Sequence, residues 1–331
     1  MRRGAGLRVV TGGLLTTVQD QGRLGALRYG VPRGGAMDRF ALFAANRLVG
    51  NAPDEAGVEM LVSEVCFEVL QPSLLALTGA PIEAYWNDAP LPLWTTILAR
   101  PGDRIYLAGK RHGWGARSYL ALAGGVEVPV VLGSRGTHLS GRFGGLAGRV
   151  LRAGDLVMLR EQPNDPLRRA GQPWPAEARP AYGPKPSLRF TAGPHQHCFG
   201  ATSIEALAQA ELRVSDHANR MGYRLDGHTV ELTHPCNLPS LGVLPGVIQI
   251  PPDGKPVLLM ADAQPTGGYP IIGVVCAPDL DLAAQLLPGD RLQLKPIGED
   301  EAIEARRDYA RWQATPLEPD DTVAQLALAG G

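Results

Sequence analysis

The chain is short of lysine, aromatic residues, cysteine and any excess of one charge. Lysine occurs four times (Lys110, Lys185, Lys255, Lys295), never in the Met-Lys-Met setting of a biotinylated lysine, so covalent biotin on this chain is excluded. Cys66, Cys198, Cys236 and Cys276 include no CxxC pair, and the apolar text around most of them predicts buried free thiols in a reducing compartment. No apolar run reaches the roughly 18 residues needed to cross a bilayer. The opening MRRGAGLRVVTGGLL lacks the apolar core of a signal peptide, so a soluble cytoplasmic protein is expected. With 32 basic and 33 acidic residues the formal net charge is -1, and no field draws in nucleic acid or an anionic membrane. The patterns GxSxG, HExxH and GxxxxGK[ST] are missing too, which removes the hydrolase and P-loop classes that carry them.

What abounds is Gly (41) and Pro (29), punctuating strand-like runs at the spacing of an all-β protein. From 57 to 109 the text reads VEMLV, VCFEVL, SLLALTGA, IEAYWN, LPLWTTILA and PGDRIYLAG, and the habit continues through 117–125, 128–132 and 150–160. Residues 161–187 carry seven prolines, a linker composition. After it the pattern restarts and ends on PGDRLQLKPI, an echo of PGDRIYLAG that suggests two similar β domains. The expected organisation is a first β domain over 1–160, a linker over 161–187, a second β domain over 188–298 and a helical tail over 299–331. Helical spacing is otherwise confined to 37–49, 203–212 and about 280–287.

The densest polar stretch is Thr17–Asn51, with six glycines around Gln19, Asp20, Arg23 and Asp38 and an amphipathic helix behind them. Such glycine density lets backbone approach a ligand closely, although a plain connector has the same composition. A second loop, PPDGKPVLLMADAQPTGGYP, sets Asp262, Gln264, Thr266 and Tyr269 beside Gly267 and Gly268, groups suited to reading a polar planar ligand. SDHANRMGYRL supplies Asn219, Arg220 and Arg224, whose planar forks match a carboxylate or phosphate unless they pair with a surface acid. Ser134, Arg135 and Thr137 form a third glycine-rich loop. His195, His197 and Cys198 hint at a metal, but no second His or Cys cluster has matching spacing, so surface histidines and no metal are expected.

In this order, TVQDQGRLGALRYGVPRGGAMD, ANRLVGN, LTGA, YLALAGGVEVPVVLGSR, NRMGYRL, GVIQIPPDGKPVLL and TGGYP resemble the family of the C-type subunit of 5-oxoprolinase. The same family is called allophanate hydrolase subunit 2 or the Kip antagonist family, and it includes half of the carboxyltransferase domain of urea carboxylase. The resemblance spans about residues 7–297. It implies a mainly β fold of two cyclophilin-like barrels with a few short helices, and a heteromeric complex with B-type and A-type 5-oxoprolinase subunits. That complex opens the lactam of 5-oxo-L-proline to L-glutamate with ATP, with or without Mg, held by this or another subunit. Matching the motifs position by position gives Gln19, Arg23, Asp38, Ser134, Arg135, Asn219, Arg224, Gln249, Asp253, Thr266, Gly267, Gly268 and Tyr269 as substrate-binding candidates. Asp20 and Asp262 are candidate proton acceptors, and Arg220 is a further catalytic candidate. The chain departs from the family at Gly136, where Ser is common, at Pro265, where Thr is common, and in the run His195–Cys198, which replaces a more acidic string.

Two other functions fit the same resemblance. One is a regulatory protein that sequesters the inhibitor of a sensor kinase. The other is a carboxyltransferase acting on urea or a related amide, which ranks lower because the chain holds no biotin carboxylase region and no biotin lysine.

Overall fold

A computed structural model describes residues 4–109, 113–160, 166–233, 236 and 238–317. Lys110, His234, the start of the Pro-rich stretch and the end of the tail lie outside the described residues. The chain divides into two units, 1–23 with 38–178 and 313–331, and 24–37 with 179–312.

The first unit carries β1 (Gly4–Thr11), β2 (Thr16–Gln19), β3 (Gly57–Leu61), β4 (Glu64–Val69), β5 (Ser73–Gly79) and β6 (Ala84–Trp86). It continues with β7 (Ala89–Pro90), β8 (Thr96–Ala99), β9 (Arg104–Ala108), β10 (Arg117–Leu122) and β11 (Leu156–Leu159). They pair as one six-stranded sheet, β11-β1-β4-β9-β6-β7, and one five-stranded sheet, β2-β3-β10-β5-β8. Both sheets contribute to one core, with Leu7, Val9, Phe67 and Ile105 from the first and Val58, Leu75, Leu77 and Leu120 from the second.

Helix α1 (Arg39–Leu48) also belongs to this unit, with Asp38 as its N-cap: Asp38 Oδ1 accepts the Ala41 N–H at 2.8 Å. The spacing predicts an amphipathic helix, but Phe40 to Asn46 and Leu48 are all buried. One cause lies in the Pro-rich stretch. Trp174 is buried, meets Phe40 edge-on with ring centroids 5.7 Å apart, and donates its indole N–H to the Ala178 carbonyl at 2.7 Å. The later part of the expected linker therefore covers a helix, because a tryptophan offers more apolar area than any other side chain.

The second unit carries β12 (Ser187–Ala192), β13 (Leu212–Val214), β14 (Gly222–Asp226), β15 (Leu241–Gly242), β16 (Val247–Gln249), β17 (Val257–Leu259), β18 (Thr266–Gly267), β19 (Ile271–Val275) and β20 (Arg291–Pro296). Seven of them close into a barrel, β12-β19-β16-β17-β14-β13-β20, sealed by the parallel pair β12 and β20. Leu188, Phe190, Leu225, Ile248, Leu258 and Leu292 fill it. Three helices accompany it, α2 (Ser203–Gln209), α3 (Asp279–Ala283) and α4 (Glu299–Gln313), close to the expected positions. Tyr309 of α4 donates to Asp281 Oδ2 of α3 at 2.7 Å, which docks the tail helix.

The expectation of a mainly β chain with a barrel is borne out. The echo between the halves has a structural basis as well. In Arg100–Asp103 and Leu287–Asp290 the first carbonyl accepts the N–H of the Asp at 3.0 Å, and the Asp carboxylate accepts the first residue's N–H at 2.8 Å. Gly102 and Gly289, at φ 93° and 89°, take the left-handed position that such a turn requires at its third residue. Arg152–Asp155 repeats the same bonds ahead of β11, with Ala153 in place of proline.

Candidate functional site

The sequence-predicted residues separate into three groups. In the first unit, β2 ends on Gln19 and leads into Asp20, whose carboxylate is enclosed. Asp20 Oδ1 accepts from Ser134 Oγ at 2.7 Å and from the Gly22 N–H at 2.9 Å, while Oδ2 accepts the Arg135 N–H at 2.5 Å. Gln19 Nε2 donates to Thr17 Oγ1 and to the Thr137 carbonyl, both at 3.1 Å. Arg23 donates to the Gly136 carbonyl and lies 4.7 Å above the Phe143 ring. These bonds tie the 17–23 and 134–143 loops together. A Cβ at Gly136 would fall 2.9 Å from Gln19 Oε1 and 3.0 Å from Asp20 Oδ1, so the glycine is what this packing admits. An Asp that already accepts three hydrogen bonds is a knot holding two loops, and the geometry does not favour it as the proton acceptor expected from the sequence. Asp38, expected at a binding site, is likewise spent on capping α1.

The second group is Arg220 and Asp262, both buried in the second unit. Arg220 Nε donates to Asp262 Oδ2 at 2.9 Å and Nη2 to Oδ1 at 3.1 Å; Nη2 also reaches the Gly35 carbonyl at 2.6 Å. With the Gly34 N–H on the Ala261 carbonyl at 2.9 Å, the pair anchors the 24–37 segment, which counts with the second unit rather than the first as the sequence suggests. The guanidinium expected to meet a substrate carboxylate meets an internal one instead.

The third group lines a cavity of about 700 Å³ at the barrel. Asn219, Arg224, Gln249 and Tyr269 of the expected set are there with Gln264 of the same polar loop as Tyr269, joined by His217 and Lys255, which motif reasoning missed. β14 and β17 pair antiparallel, Arg224 opposite Val257, which places Arg224 and Lys255 on the same wall. Among the described residues the lining holds two cations and no carboxylate. Each cation has its counterion outside the lining: Arg224 Nη1 pairs with Asp253, and Lys255 Nζ with Asp226 Oδ1 at 2.8 Å. The Lys255 hydrogen bond holds the Asp226 carboxyl below its usual range. Gln249 ends β16 and is buried, and among the described residues its Nε2 finds no acceptor. Gly267 of β18 packs closely against this amide, since a Cβ there would lie 2.5 Å from Gln249 Nε2. Thr266 and Gly267 pair with Gly242 and Leu241 in a two-stranded ribbon, and Gly268 follows them.

The free-thiol expectation fails for one pair. Cys198 and Cys236 form a disulfide, while Cys66 and Cys276 are free, and burial pushes both of those thiols up. Among the described residues no helix is long and apolar enough to cross a membrane.

A closed seven-stranded barrel and a two-sheet unit define a mainly β protein whose barrel carries a polar cavity. A model of the carboxyltransferase domain, subdomains A and B, matches residues 29–296. The chain is 37% identical over 306 residues to the C-type subunit of 5-oxoprolinase from Escherichia coli (strain K12), covering 92% of this chain and 96% of that protein. It is 32% identical to urea amidolyase of Lachancea kluyveri, covering 91% of this chain but 18% of that protein. The crystal structure of K. lactis urea amidolyase matches with a TM-score of 0.85 at 28% identity, over 94% of this chain and 20% of that one. The chain thus spans about a fifth of the urea amidolyases and nearly all of the bacterial subunit. It belongs to the carboxyltransferase-domain family that includes the C-type 5-oxoprolinase subunits.

Proposed function

We propose that this chain is the C-type subunit of an ATP-dependent 5-oxoprolinase and that the barrel cavity holds the lactam substrate. The observation that carries this reading is the lining of that cavity: Arg224 and Lys255 with no carboxylate among its described residues, beside the buried donor Gln249 Nε2. 5-Oxoproline is a small amide that bears a carboxylate. Its anionic end matches the two cations, and its ring carbonyl matches an amide donor that has no acceptor among the described residues. Urea is neutral and gives the cations nothing to bind, so the same cavity disfavours it.

In this reading the working complex contains this chain with B-type and A-type subunits in the cytoplasm. The lactam oxygen takes the γ-phosphoryl group of ATP, ADP leaves, and the ring carbon, a poor electrophile otherwise, becomes open to water. The residues of this chain orient the ring and neutralise its carboxylate. A donor fixed before the reaction holds the ring carbonyl oxygen in line for phosphoryl transfer without reorganising; water then adds to the ring carbon, phosphate leaves and the C–N bond opens.

The test is reconstitution. Co-expressed with the B-type and A-type homologues, the chain should release glutamate from 5-oxoproline only when ATP is present. A complete, folded complex that leaves 5-oxoproline intact would overturn the reading. Turnover of urea by that complex would favour the carboxyltransferase alternative, which the family model makes the natural competitor.

A further inference from the structure

Far along the chain from each other, residues 197–198 and 236 meet in the second unit. The Thr233 N–H donates to the Cys198 carbonyl at 3.0 Å, and Phe199 bridges Leu232, so residues 232–233 lie alongside the 198–199 turn. This carries Cys236 to Cys198 with Cα atoms 5.9 Å apart. His197 completes the group: one ligand-capable atom from each of His197, Cys198 and Cys236 lies within 4.8 Å of the others.

We propose that these three residues form a metal site governed by thiol redox state, closed as the Cys198–Cys236 disulfide and, when reduced, able to bind one zinc or similar borderline-soft divalent cation. Two thiolates and an imidazole are the donor set that such an ion prefers over oxygen ligands. The spacing is suitable. In a tetrahedral site with Zn–S bonds of about 2.3 Å the sulfurs stand about 3.7 Å apart. Rotation of two side chains on Cα atoms 5.9 Å apart provides that separation while the backbone bonds around Cys198 stay in place. Cys198 is buried and fixes the floor of the site, whereas His197 is exposed and gives the ion an approach from solvent.

His195 has a different task. Its Nδ1 accepts the Ile271 N–H at 3.1 Å, which locks the turn onto β19. The site therefore rests on three protein ligands and leaves one coordination position to water or another small ligand.

The redox step balances simply. A dithiol reductant delivers two electrons and two protons to the disulfide and leaves as its own disulfide. The S–S bond breaks and two thiols form, and their protons are released as the cation binds.

The full chain is treated with or without a dithiol reductant, freed of it by gel filtration without oxygen, and titrated with zinc ions alone. Metal content is read by elemental analysis and free zinc by a chromogenic chelator. The reduced protein should take up one zinc per chain and the oxidised protein none. Cys236→Ser and His197→Ala should each lose that stoichiometric zinc, and Cys276→Ser should keep it. His197 is exposed, so its variant separates loss of a ligand from loss of the fold, which circular dichroism monitors. Reduced protein that takes up no zinc would overturn the proposal. So would folded His197→Ala or Cys236→Ser protein that retains the full equivalent.

Discussion

Arg224 and Arg220 lie four residues apart in one motif, yet they have opposite fates. Arg224 is partly exposed at the cavity with its counterion Asp253 in water, so it can turn toward an incoming carboxylate. In the reconstituted complex, Arg224→Ala should raise KM for 5-oxoproline with little change in kcat. A hydrogen bond to a charged group contributes about 1.5–3 kcal/mol, which corresponds to a rise of roughly 10- to 150-fold. An unchanged KM removes Arg224 from the site. Arg220 is buried on Asp262, so Arg220→Ala leaves an unpaired carboxylate in the interior. That costs about 3–5 kcal/mol. Urea denaturation should show the loss, and a variant as stable as the parent would refute the anchoring role. The sequence made both arginines visible as forks suited to an anion. It did not show which one has an internal acid within reach, because Asp262 is 42 residues away and the pairing arises only when the barrel closes.

Elements were more legible than side-chain roles. The tail helix and the turns ahead of β9 and β20 follow from local chemistry, acids first in a helix and Pro-Gly-Asp at a bend, whereas Asp38 reads as a binding residue and caps α1 instead. The burial of α1 was not legible, since its cover comes from Trp174 in a stretch whose prolines read as linker. Lys255 and His217 were missed at the cavity for a related reason. A strand's period tells which residues share a face but not which strands will be neighbours. β18 offers the sharpest test at this scale. Gly267→Ala adds one methyl 2.5 Å from Gln249 Nε2, and the amide at the end of a flexible side chain must swing away. Stability should change by less than about 1 kcal/mol, because the barrel ladder is untouched. Losing one neutral hydrogen bond, about 0.5–1.5 kcal/mol, should lower kcat/KM by roughly two- to tenfold. Wild-type kinetics in this variant would mean that Gln249 does not face the substrate.

Over the whole molecule the titrating groups set opposite limits on stability. Several carboxyls sit below their ordinary range in the folded chain. For Asp155 the main cause is the paired hydrogen bonds from Arg149, at 2.6 and 2.8 Å. For Asp103 burial pulls upward, but the Arg100 N–H, Asn87 and Trp86 outweigh it. A carboxyl with a depressed folded pKa binds protons more weakly than in the unfolded chain. Its contribution is present above the unfolded value near 3.8 and is lost as pH falls through the folded one. At the other end, Cys66 and Cys276 are raised above 9.0 by burial, and Tyr119 is raised well above 10.0 by burial and then by Glu59 and Asp38. In the unfolded chain these groups ionise first, so their contribution is complete below their unfolded values and drains away as pH rises past them. The stability of the reduced protein in urea should therefore fall below about pH 4 and fall again above about pH 9, with its maximum in between. Cys66→Ala with Cys276→Ala should soften the alkaline fall and leave the acid one in place, and Asp155→Asn should do the reverse. A stability that holds or rises between pH 8 and 10 in the reduced protein would show that the buried thiols and Tyr119 do not govern the alkaline side.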